Sequence, residues 1–89
     1  MRMHVVVSGR VQGVGFRGFV REAAIELGLA GWVRNRPDGN VEVAADGDDA
    51  GVSRFRELLR KGPPHAMVVS VDDVASSTEP LSRPFEIAG

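Results

Sequence analysis

Cysteine is absent from this 89-residue chain. No disulfide can staple the fold and no thiolate can hold zinc or an iron–sulfur cluster, which fits a reducing compartment such as the cytoplasm. Long apolar runs are missing too. The aliphatic stretches Val5-Val6-Val7 and Met67-Val68-Val69 are three residues each, far short of a membrane span or signal core, so neither a membrane partner nor export is expected. An excess of one charge is also lacking: 11 Lys and Arg against 12 Asp and Glu leave a formal charge of −1. That balance excludes the basic footprint of a general nucleic-acid binder. The two histidines, His4 and His65, have no further ligand at metal-site spacing, and no metal is expected. What remains is ordinary globular material, 43% hydrophobic and 26% charged, in a length that suits one domain over residues 1–89.

Periodicity divides the chain into alternating elements. Met3 to Ser8 reads as a strand, ended by Gly9, with Met3, Val5 and Val7 on one face. The glycine-rich stretch from Gly9 to Phe16 is read as non-strand. Phe16, Phe19, Val20, Ala23, Ala24 and Leu27 then fall at i, i+3, i+4, i+7, i+8 and i+11, an apolar helical stripe closed by Gly28. Gly31 to Asn35 and Asn40 to Ala45 predict a hairpin around Pro37-Asp38-Gly39. Asp46 to Asp49 supply a turn and a helix cap. A second helix is expected from about Ala50 to Lys61, with Val52, Phe55, Leu58 and Leu59 inward and Glu57 paired with Lys61. Gly62-Pro63-Pro64 stops it. Met67 to Val74 reads as a fourth strand, Glu79 to Pro84 as a polar loop and Phe85 to Ile87 as a short closing strand.

The order β-α-β-β-α-β plus a terminal strand predicts an α+β, ferredoxin-like (split βαβ) sandwich. Its four- to five-stranded antiparallel sheet would carry two helices on one face, with spatial order 4-1-3-2. In that topology the ends of strands 1 and 2 lie on the same sheet edge, roughly 10 Å apart at ~4.8 Å per strand. The glycine-rich loop, Arg17 and Asn35 can therefore converge on one small ligand. Glycines let successive amides face one point, the helix N-terminus adds unsatisfied donors, and Arg17 adds a permanent cation in the first turn. A cation there opposes the helix dipole, and an anion between the two reverses the sign. The loop reads as a phosphate-sized cradle. A plain tight connection with a solvated arginine fits the same spacing, and spacing alone leaves both open.

Two familiar patterns fail at this loop. Gly13-Val14-Gly15-Phe16-Arg17-Gly18 has the letters of a dinucleotide fingerprint, but that fold needs a longer parallel sheet than this chain can build. No Gly-Lys-Ser/Thr follows, so a P-loop is excluded.

Gly-Arg-Val-Gln-Gly-Val-Gly-Phe-Arg at 9–17, Gly-Trp-Val-Arg-Asn at 31–35 and Asp-Gly-Asn-Val-Glu-Val at 38–43 resemble the acylphosphatase family. The resemblance continues through Gly62-Pro63-Pro64 to Phe85-Glu86-Ile87 and covers essentially the whole chain. It implies hydrolysis of small acyl phosphates to carboxylate and inorganic phosphate by a monomer without metal or cofactor. Arg17 matches the family's phosphate-binding arginine and Asn35 its water-positioning asparagine. The backbone amides of Val11, Gln12, Gly13, Val14, Gly15 and Phe16 match its phosphate cradle. Gly18 and Met67 depart from the family, where a bulkier residue often follows the arginine and a basic residue is frequent at the second position.

The neighbours carry structural readings. Arg10 is expected to face away from the cradle, the Gln12 side chain to be solvated rather than capping the loop, and Trp32 to pack beneath its strand. Arg34 and Arg36 read chiefly as solvated surface, with anion steering as the alternative. His4 and His65 read as ordinary strand and loop residues. Rival functions are weaker. An RNA-recognition module of the same element order needs stacking aromatics on strands 1 and 3, which are missing here. A domain fused within a larger carbamoyl-transfer protein would bring further domains or a zinc motif, and a small-ligand regulatory domain would lack the Arg17 and Asn35 pair.

Overall fold

A computed structural model describes residues 1–76 and 80–88. Its elements are β1 (Arg2–Arg10), α1 (Phe16–Glu26), β2 (Ala30–Asn35), β3 (Val41–Asp46), α2 (Asp49–Lys61), β4 (Met67–Asp73) and β5 (Glu86–Ile87). Both helices pack on one five-stranded sheet in the order β4-β1-β3-β2-β5, the ferredoxin-like α+β arrangement. Of the loop expected from Glu79 to Pro84, Glu79 lies outside the described residues.

The sheet is mixed rather than antiparallel throughout: β5 runs parallel to β2, with Trp32 beside Glu86 and Val33 beside Ile87. The reason is positional. β4 ends beside Val5, at the end of the sheet where β2 begins beside Asp46. A chain crossing from there to the far edge starts β5 at that same end, so β5 takes the direction of β2.

One set of alternating positions builds the core. Met3, Val5 and Val7 of β1 pair with Ala45, Val43 and Val41 of β3, and these with Gly31, Val33 and Asn35 of β2. Under this face lie Phe16, Val20 and Ala24 of α1 and Val52, Phe55 and Leu59 of α2. Phe55 meets Phe85 edge-to-face at 5.9 Å between ring centroids. Burying a phenylalanine side chain is worth about 1.5–3 kcal/mol, and here it fastens the short β5 to the body. α2 begins where Asp48 accepts the Gly51 amide at 2.7 Å. Its surface ion pair joins Glu57 to Arg54 at 3.3 Å, not to Lys61 as expected: a partner one turn back is as reachable as one ahead.

β1 runs two residues beyond the expected end, through Gly9 and Arg10. A register shift against β4 falls between Ser8 and Gly9, and Gly9 has φ 122°. A Cβ on Gly9 would stand 2.1 Å from the Met67 carbonyl oxygen, so glycine here permits a bulge in a strand rather than ending it. Gly9→Ala should therefore lower stability by more than ~1 kcal/mol, since both the positive φ and the close approach resist a side chain. Urea denaturation of the two proteins checks this, and an unchanged midpoint would contradict it.

Candidate active site

Between β1 and α1 the chain is pinned at two apolar points. Val11 and Phe16 are each 1% exposed and sit in the core, and Val14 packs partly against it. Gly13 and Gly15 between them take left-handed backbone, φ 74° and 79°, a conformation costing other residues about 1–2 kcal/mol. Gly15 also caps α1, and it brings no side-chain acceptor; the first turn holds no acidic residue. Among the described residues, no backbone acceptor pairs with the amides of Gln12 to Gly15. The positive end of α1 is thus open, and Arg17 stands on it without a hydrogen-bond or ion-pair partner among the described residues.

This segment walls a pocket of about 220 Å³. Gly13, Gly15, Arg17 and Gly18 line one side, with Val11 and Phe16 beneath. Asn35 and Ile87 line it from β2 and β5. Asn35 pairs with Val41 and Val41 with Val7, so it is the last position of the core-facing row, where the core gives way to the pocket. Its Oδ1 is buried and has no hydrogen-bond partner among the described residues. The convergence of Val11, Gly13, Gly15, Phe16, Arg17 and Asn35 expected from topology is present. The side chains of Gln12 and Val14 are not part of the lining, and exposed Arg10 is outside it as well. An added Cβ at Gly18 would meet nothing within 4 Å beyond its own helical turn among the described residues, so glycine here leaves no packing contact unfilled.

The Gln12 side chain is not free in solvent. Its Nε2 donates to the carbonyl oxygens of Arg36 and Asn40, both at 2.8 Å. Those carbonyls stand at the mouth of the β2–β3 turn, which the Arg36 amide closes by donating to the same Asn40 oxygen.

The opposite face of the sheet holds a cluster that sequence reasoning missed. Glu42, 7% exposed, accepts from His4 Nε2 at 2.6 Å and from Arg34 at 2.9 and 3.1 Å, with Arg36 at 3.4 Å. Trp32 stacks edge-on to His4 and lies 4.7 Å beneath the Arg34 guanidinium, covering the pair from β2 as a packing residue. His4 is therefore part of a buried polar pair, and Arg34 and Arg36, still substantially solvent-exposed as expected, are also tied to Glu42. The available signal was register: Glu42 lies directly across from Arg34, an opposite-charge pair that hairpin alignment would have exposed. Burial raises the Glu42 pKa, but the hydrogen bonds from His4 and Arg34 and their charges outweigh it and hold the carboxyl below its ordinary value.

Two helices on one face of a mixed sheet, with an uncapped helix end and a buried asparagine oxygen meeting in one pocket, define a ferredoxin-like α+β protein with a small polar site. Comparison with known proteins makes the class specific. A sequence profile described as Acylphosphatase matches residues 3–87. Acylphosphatases of Gloeobacter violaceus and Deinococcus radiodurans are 54% and 49% identical over 87 residues, 98% of this chain and 92% and 99% of theirs. The crystal structure of acylphosphatase from Bacillus subtilis superposes with a TM-score of 0.90 at 40% identity, covering 99% of this chain and 98% of that one. The chain belongs to the acylphosphatase family and is a hydrolase of that kind.

Glu42→Gln should lower stability by roughly 1–3 kcal/mol near neutral pH, the range for stranding buried hydrogen-bonded partners, with the half-exposed Arg34 placing it toward the lower end. Because the folded-state pKa is depressed, wild type keeps this advantage fully above the ordinary glutamate value of ~4.3 and loses it as pH falls through the lower folded value. Denaturation of both proteins across the acid range measures the difference. A gap that stays constant into strong acid would show that the charge of Glu42 is not its source.

Proposed function

We propose that this enzyme hydrolyses the carboxyl–phosphate bond of small acyl phosphates, with Arg17 and the loop amides binding the phosphate, Asn35 orienting the attacking water, and no metal or cofactor. The reading is supported above all by Asn35, which lines the same pocket as Arg17 and whose Oδ1 is a buried acceptor without a partner among the described residues. An unsatisfied buried polar atom costs about 1–3 kcal/mol, a cost that an asparagine serving only the fold would avoid.

The chemistry asks little beyond charge and position. A carboxylate is a weakly basic leaving group, so no strong general acid is required. In the proposed step the amides from Val11 to Phe16 and the guanidinium of Arg17 take the non-bridging phosphate oxygens, where charge spreads in the transition state. Each well-placed donor in a desolvated site lowers the barrier by roughly 3 kcal/mol. One water hydrogen is donated to Asn35 Oδ1, which turns an oxygen lone pair toward phosphorus. The P–O bond to water forms, the P–O bond to the acyl carboxylate breaks, and its electron pair leaves with the carboxylate. The released proton goes to a phosphate oxygen, so acyl phosphate and water give carboxylate and dihydrogen phosphate. The cysteine-free composition fits action in the cytoplasm.

Purified protein should release phosphate from acetyl or benzoyl phosphate well above the spontaneous rate in excess chelator, and loss of all turnover on chelation would overturn the metal-free reading. Arg17→Lys should weaken inhibition by orthophosphate at least roughly tenfold, since an ammonium cannot reproduce the two-pronged guanidinium contact. Asn35→Ala should lower kcat on the order of 100-fold while orthophosphate still inhibits, because positioning is lost and phosphate binding is not. Full turnover in Asn35→Ala would remove the water-orienting role.

A further inference from the structure

We propose that the Gln12 side chain is a positioning residue for hydrolysis, setting the distance between the phosphate cradle and the water held by Asn35. This rests on the roles given above to the loop and to Asn35. The cradle and the asparagine belong to separate parts of the chain. One is the β1–α1 loop and the other the end of β2, with β3 between β2 and β1 in the sheet. A reaction that needs water in line with phosphorus depends on the gap between them.

The Gln12 carboxamide spans that gap. Its two Nε2 hydrogens reach two different carbonyls, those of Arg36 and Asn40, at 2.8 Å each. Two bonds from one planar amide fix rotation as well as distance, which a single bond does not. The residues gripped matter. Asn35 pairs with Val41 across β2 and β3, and Arg36 and Asn40 are the chain neighbours of that pair. Both walls at the base of Asn35 are therefore tied to the loop. The Gln12 backbone belongs to the loop proposed above to hold the phosphate, while its side chain holds the strand end that carries Asn35. Nothing in the core requires this bond: Gln12 is half-buried, and the loop is already pinned by Val11 and Phe16.

The test is a double-mutant cycle on the full chain with acetyl phosphate. Gln12→Met keeps a side chain of similar length and removes both donors; Gln12→Ala removes the reach as well. Each should lower kcat roughly tenfold, as expected for slight misplacement of reacting groups, with inhibition by orthophosphate changed much less. In the Asn35→Ala background the same substitutions should cost almost nothing further, because Gln12 acts through Asn35. A full tenfold loss in that background, or wild-type kcat in either single variant, overturns the inference. The two readings fail differently: a parent protein that does not hydrolyse acetyl phosphate sinks the proposed function, whereas a parent that does, with Asn35→Ala impaired and Gln12→Met unimpaired, sinks only this one.

Discussion

The first turn of α1 presents its positive end uncapped, and a guanidinium stands on it. A helix start normally takes a side-chain oxygen or an acid, each stabilising by ~0.3–2 kcal/mol. Here Gly15 supplies neither, and Arg17 adds like charge to the dipole. The fold tolerates this because the loop is held from elsewhere, by Val11 and Phe16 in the core and by Gln12 on the turn. The result is a loop of amides without backbone acceptors among the described residues, beside a pocket that one cation lines. In the proposed mechanism a phosphate dianion turns that unfavourable arrangement into a favourable one.

β2 is the element that connects this end of the molecule to the rest. Its inward positions run from Gly31 through Val33, 0% exposed, to Asn35, so one row passes from core packing to the pocket without a change of face. Its outward positions carry Trp32 and Arg34, which close over the His4 and Glu42 pair. The same strand thus holds an unsatisfied oxygen on one face and a fully engaged carboxylate partner on the other. Arg34 and Arg36 flank Asn35, and Glu42 occupies both. Arg17 is left as the unpartnered cation of the pocket among the described residues.

Most of the fold was legible because short-range chemistry decided it. The stripe from Phe16 to Leu27 marks α1, the turn from Asp46 to Asp49 marks the start of α2, and the valines of β1 and β3 alternate as a sheet with one covered face requires. The lining of the candidate site was legible for a related reason: Gly13, Gly15, Arg17 and Asn35, which share one pocket, sit where topology brings strand ends together. What was not legible depends on contacts distant in sequence. Gly9 looked like a stop because the Met67 carbonyl that makes it a bulge is far along the chain. The direction of β5 depends on where β4 ends. The Gln12 bonds span 24 and 28 residues and the His4–Glu42 pair spans 38; no periodicity reports either. The family resemblance carried the roles of Arg17 and Asn35 further than spacing could.

The proposed mechanism requires the backbone amides between β1 and α1 to grip a phosphate. Titrating isotopically labelled protein with orthophosphate and following each amide by NMR tests it directly. Saturable shifts concentrated in the amides from Val11 to Phe16 and in the Arg17 side chain, with one shared affinity, are expected. Saturable binding whose shifts fall elsewhere, leaving those amides unmoved, would contradict it.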